Sequence, residues 1–111
     1  MHALREGETS HHISRLHNRQ TVLLGVRLRR KGESWFSCRI IDISLAGFRL
    51  TSYAKLHPGM EIWIMFPGFE GRKAIVTWTA NHEAGCRLEQ PLHPAIFDHI
   101  VRMSDPAAGR G

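Results

Sequence analysis

From Thr21 to Leu88 apolar and polar residues alternate in short runs, the period-two signature of strands with one buried face. In the first run Val22, Leu24, Val26 and Leu28 share one face, while Thr21, Leu23, Gly25, Arg27 and Arg29 take the other. Lys31-Gly32-Glu33 supplies a turn, and Trp35 to Ile43 returns as an antiparallel partner with Phe36, Cys38 and Ile40 inward. Phe48 and Leu50 extend an apolar face from which Arg49 points away. After the turn Leu56-His57-Pro58-Gly59, Ile62, Ile64 and Phe66 alternate with Trp63 and Met65. A second turn over Pro67-Gly68-Phe69-Glu70-Gly71 leads into Lys73 to Thr79, with Ala74, Val76 and Trp78 on one face. Asn81-His82 reverses the chain again, and Ala84, Cys86 and Leu88 form a last short strand. About six strands separated by turns predict an all-β antiparallel sandwich or barrel. Within it Trp63 and Trp78 read as core or rim residues rather than stacking platforms, and Arg27, Arg29, Arg30 and Lys31 as a solvated strand end.

The last element changes period. His93-Pro94-Ala95 opens a helix, with proline at the first helical position, where its missing N–H costs nothing. Ile96, Phe97, Ile100, Val101 and Met103 give it an apolar face that packs across one end or face of the sheet structure. Residues 1–20 are polar, rich in His and Arg and without hydrophobic period, so they read as a flexible arm. Residues 104–111 are small and polar and read as a flexible tail. The domain lies between, over residues 21–103.

Composition narrows the function. A chain of 111 residues with ordinary apolar and charged fractions is one globular domain with a modest core. Its net charge of +5 and pI near 10.0 favour anionic partners, without choosing among them. Cys38 and Cys86 fall inside apolar strand runs and read as buried, reduced thiols of a cytoplasmic protein. No apolar run reaches the ~20 residues of a membrane span, and the N-terminus has no signal-peptide core. His2, His11, His12 and His17 have no Cys or carboxylate beside them at a ligand spacing, so no metal site is expected. Catalysis is not expected either, since neither Ser44 nor a cysteine stands in a nucleophile setting and no pair of carboxylates shares a pocket.

The polar residues that carry chemistry fall in two clusters. Asp42, Ser44 and Gly47 form the pattern Asp-x-Ser-x-x-Gly at the corner between the second and third strands. Asp and Ser side chains bond nearby backbone N–H groups at such reversals, and glycine allows positive φ or a close backbone approach. Upstream, Arg15 and Arg19 form Arg-x-x-x-Arg just before the first strand. In this order and spacing the two motifs resemble the PilZ domain family, bacterial receptors for cyclic di-GMP, and the likeness covers roughly Arg15 to Val101.

The resemblance implies a six-stranded antiparallel split β-barrel with a C-terminal helix, and a ligand-binding set of Arg15, Arg19, Asp42, Ser44 and Gly47. Arginine can fork onto a guanine Hoogsteen edge, stack on the purine or bind phosphate. Asp42 and Ser44 meet the guanine N1–H and amine, or the ligand backbone, from the barrel side, and Gly47 shapes the corner. Ser14 precedes Arg15 where many relatives carry another basic residue. The implied function is a receptor that folds its arm over cyclic di-GMP and signals to an effector protein, as yet unidentified. The alternative is a PilZ-like protein-interaction module that does not bind nucleotide. General nucleic-acid binding ranks below both, because the tryptophans sit within apolar runs instead of alternating with basic residues on one face.

Overall fold

The computed structural model describes residues 18–104. Its elements are β1 (Gln20–Arg30), β2 (Phe36–Ile43), β3 (Gly47–Thr51), β4 (Glu61–Met65), β5 (Arg72–Ala80), β6 (Glu83–Leu88) and α1 (Pro94–Met103). Every strand pairing is antiparallel, in the order β1-β2-β3-β6-β5-β4, and β4 returns to β1. The sheet therefore closes into a barrel in which every strand has a neighbour on each side. Of the two architectures that alternation alone permits, this is the barrel.

Turn chemistry agrees with the hairpins. Pro67 and Gly68 occupy the centre of a turn closed by the Phe69 N–H on the Phe66 carbonyl at 3.0 Å. Gly68 has φ 84°, the positive value that the third position of a type II turn demands. Between β5 and β6 the two-residue loop Asn81-His82 has φ of 53° and 66°, the twist that suits a tight hairpin. Histidine is among the non-glycine residues that tolerate positive φ best, and the His82 ring packs against Tyr53 at a tilt of 50°, with centroids 4.8 Å apart.

The inward faces meet in one core. Leu28, Ile40, Ile43, Phe48, Leu50, Ile62, Ile64 and Phe66 are fully buried, and Phe48 meets Phe66 edge to face at 6.1 Å. Helix α1 adds Ile100 to this core and lays Ile96, Phe97, Val101 and Met103 partly against it. Its start is capped by His93, whose Nδ1 accepts the Ala95 N–H at 3.0 Å. Its end is tied to β1, because the Ser104 hydroxyl accepts the Leu23 N–H at 2.9 Å.

Three register shifts interrupt the regular pairing, between Thr21 and Leu24, Ile40 and Asp42, and Val76 and Trp78. Such bulges insert one residue into one strand and reverse the alternation beyond it. The extra residue in β2 is Ile41: Ile40 pairs with Leu50, and the next pair is already Asp42 with Arg49. Ile43 thus enters the core, and Asp42 turns to the outer face. In β5 the extra residue is Thr77, because Val76 pairs with Cys86 and Trp78 with Gly85. This corrects the expectation that Trp78 shares the face of Ala74 and Val76. Those two are buried, whereas Trp78 is 39% exposed on the outer surface. Trp63 also faces outward, where the Arg29 guanidinium lies 4.6 Å from its ring centroid and 5.4 Å from that of Trp35. Part of the basic strand end is therefore stacked rather than simply solvated.

Candidate functional site

The corner between β2 and β3 is held from within by Ser44. Its N–H donates to the Gly47 carbonyl at 2.8 Å, and its hydroxyl oxygen accepts the Ala46 N–H at 3.3 Å and the Gly47 N–H at 3.2 Å. The same hydroxyl donates to the Gly47 carbonyl at 3.3 Å. One donor and two acceptor sites are all that a serine hydroxyl has, so Ser44 is fully engaged in shaping the corner. The corner is then clamped to the rest of the barrel: the Leu88 N–H reaches the Ala46 carbonyl and the Leu92 N–H the Leu45 carbonyl, each at 2.8 Å. Gly47 is needed for close approach rather than for positive φ, because a Cβ on it would collide with the Cys86 carbonyl oxygen of β6.

Beside this corner the bulge at Ile41 presents Asp42 outward. Its carboxylate is gripped on both oxygens. Oδ1 accepts Nη1–H of Arg19 at 2.8 Å, and Oδ2 accepts Nε–H of Arg49 at 2.9 Å. The Asp42 side chain is 10% exposed, Arg19 54% and Arg49 40%, so the acid is largely covered while both cations keep one side in solvent. Arg49 continues the chain of charges by donating Nη1–H to Glu83 Oε1 at 3.2 Å. Arg19, Asp42, Ser44 and Gly47 are thus brought together at one place, although Arg19 and Asp42 are 23 positions apart in sequence. Arg15 lies outside the described residues, as do His2, His11, His12 and His17.

Sequence reasoning missed Arg49. Its position on the polar face was plain, but its partner depended on a bulge that places Asp42 opposite it. A faint signal was available, since Arg49 follows the corner glycine by two residues and so leaves the corner on the outer face. Gly85 and Trp78 continue the same cross-strand row, Asp42 to Arg49 to Gly85 to Trp78. The Trp78 indole lies down over Gly85, where any side chain would meet it, so a flat aromatic surface closes that end of the row.

The two thiols lie on β2 and β6, and Cys86 adjoins the corner at Gly47. Burial pushes Cys38 up to about 12, and burial followed by the nearby Cys38 pushes Cys86 up to about 12 as well. Both therefore stay protonated and inert at neutral pH. Among the described residues no group of three His, Cys, Asp or Glu side chains could hold a metal ion, and no helix is long and apolar enough to cross a membrane.

A closed antiparallel barrel with a carboxylate held between two arginines on its outer wall defines a small β-barrel binding module. The PilZ domain model matches residues 13–105, and the chain belongs to that family of regulatory cyclic di-GMP-binding domains. The fold is also similar to the crystal structure of the PilZ domain of CeSA from a cellulose-synthesising bacterium. That match has a TM-score of 0.56 and 17% identity, and it covers 78% of this chain and 93% of the other. No curated protein matches the chain.

Proposed function

We propose that this chain is a cyclic di-GMP receptor in which Arg15, Arg19, Asp42, Ser44 and Gly47 form the binding site. The observation that carries this reading is the 2.8 Å pair between Arg19 and Asp42, which joins the two motifs on one face of the barrel. Arg19 has an exposed guanidinium beside that acid, able to fork onto a guanine or bind a phosphate. The Asp42 carboxylate receives one N–H on each oxygen and keeps acceptor capacity for the guanine N1–H and amine. Ser44 and Gly47 act by holding the corner that aims Asp42. Residues 1–17 carry Arg15 and close over the bound dinucleotide, and the rearranged surface meets an effector protein. The binding module performs no catalysis. Its thiols, both free, suit the reducing cytoplasm.

A charge-assisted hydrogen bond is worth about 1.5–3 kcal/mol, so removing Arg19 should cost roughly ten- to a hundredfold in affinity. The test is calorimetric titration of cyclic di-GMP into the full chain and into an Arg15→Ala/Arg19→Ala variant. Saturable heat that the variant loses supports the receptor, and the fitted stoichiometry gives the number of ligands per site. No heat and no thermal shift with the wild-type chain would replace this reading with a PilZ-like interaction module that binds a protein without nucleotide.

A further inference from the structure

Arg49 is held at two points, by Nε–H on Asp42 Oδ2 and by Nη1–H on Glu83 Oε1. Two anchors fix the plane of a rigid guanidinium. The remaining nitrogen, Nη2, lies on the Nε edge of the fork, next to the Asp42 carboxylate, and makes no hydrogen bond among the described residues. Asp42 in turn keeps a second acceptor position on each oxygen beside its bonds from Arg19 and Arg49. Acceptors and a donor thus stand side by side on the outer face, with the donor direction set by Glu83.

The Watson–Crick edge of guanine is the complement of that order. Its amine and N1–H donate, and O6 next to them accepts. Adenine reverses the two positions that matter: N1 is an acceptor and the C6 amine a donor. In the same place adenine would set a lone pair against the Asp42 carboxylate and N–H groups against Arg49. Unpaired polar groups of this kind in a binding site are what separates close analogues by large factors.

We propose that Arg49 reads guanine O6 while Asp42 reads N1–H and the amine, and that Glu83 is the positioning residue that aims Arg49. This pair sets guanine-over-adenine selectivity. The inference rests on the receptor reading above and deepens it from a charge-based site to a base-reading one. Arg49 and Glu83 are not members of either sequence motif.

The test uses cyclic di-GMP and cyclic di-AMP titrated separately into the full chain, into Arg19→Ala, Arg49→Ala, Arg49→Lys and Glu83→Gln, and into the Arg49→Ala/Glu83→Gln double variant. The wild-type chain should prefer cyclic di-GMP by about a hundredfold or more. Arg49→Ala should weaken cyclic di-GMP about tenfold while leaving cyclic di-AMP unchanged or tighter, so that the ratio collapses. Glu83→Gln should lose a few-fold, on the order of one interaction between neighbouring groups, and that loss should vanish in the Arg49→Ala background. A merely structural Glu83 would show the same loss in both backgrounds. Should Arg49→Ala melt below the working temperature, Arg49→Lys takes its place, since it keeps the charge without the fork and should lower the same ratio.

An unchanged ratio in the Arg49 variants, with Arg19→Ala still weakened, overturns this inference and leaves the receptor standing. Tighter cyclic di-GMP binding by Arg49→Ala also overturns it, because Arg49 would then compete for Asp42. A wild-type chain that takes up neither dinucleotide overturns both readings.

Discussion

A methyl group on Gly47 would press on the backbone oxygen of Cys86, an atom that cannot swing aside because β6 is paired on both sides. Gly25 is the useful contrast, since a Cβ there meets nothing within 4 Å and its backbone is ordinary strand. Overpacking of the first kind typically costs about 1–3 kcal/mol, whereas glycine to alanine at a compatible position stabilises by about 0.4–1 kcal/mol. Urea unfolding should therefore show Gly47→Ala well below the wild-type chain and Gly25→Ala level with it or above. Equal loss in both would mean that β3 and β6 are not in close contact at the corner. At this scale the motif was legible in the sequence, because Asp, Ser and Gly each suit a chain reversal for a separate chemical reason. The division of labour was not. Ser44 spends its whole hydroxyl on the corner, and Asp42 faces the arginines, as distances between atoms alone could reveal.

Strands β2 and β6 carry the two thiols, and their burial links the elements to pH. In the folded chain both titrate at about 12, against 9.0 for an ordinary thiol. Well below pH 9 both folded and unfolded chains hold these protons, so the contribution is constant. From pH 9 towards 12 the unfolded chain loses them first, and stability falls as pH rises, by at most about 1.4 kcal/mol per pH unit for each thiol. Urea midpoints measured from pH 8 to 11 should decline, and a Cys38→Ala/Cys86→Ala variant, though weaker at pH 7, should decline less. Parallel curves for the two proteins would place the thiols outside the core. The strands themselves could be read from alternation, and the helix from its change of period and His93-Pro94 start. The bulges could not. One extra residue such as Ile41 or Thr77 looks like any other in the sequence and is visible only in what its strand pairs with. That is why Trp78 was expected on the face of Val76 and lies on the opposite one.

At the scale of the whole molecule, the proposed receptor uses the barrel wall as its fixed half, and Arg19 is the part of the N-terminal motif that meets this wall, at Asp42. A ligand that binds only the folded chain stabilises it by about 2.7 kcal/mol at a hundred times its dissociation constant. Thermal melts of the wild-type chain with cyclic di-GMP should accordingly shift upward by several degrees, with little shift for Arg19→Ala. The Arg19 side chain is 54% exposed, so its truncation should barely move the melting temperature without ligand. A large fall without ligand would make the Arg19–Asp42 pair a structural brace first.

The sequence by itself determined the all-β class, the C-terminal helix, the corner and the likeness to a family, because these rest on period, turn chemistry and residue spacing along the chain. The tertiary structure decided which residues meet. Closure of β4 onto β1 chose the barrel over the sandwich, and the bulge at Ile41 turned Asp42 outward to face Arg49. Arg49 meets Asp42 through the bulged pairing of the consecutive strands β2 and β3, and its Glu83 anchor follows from the pairing of β3 with β6, strands distant in sequence. A pairing register is a sum of weak contacts over the whole sheet, and no single residue carries it.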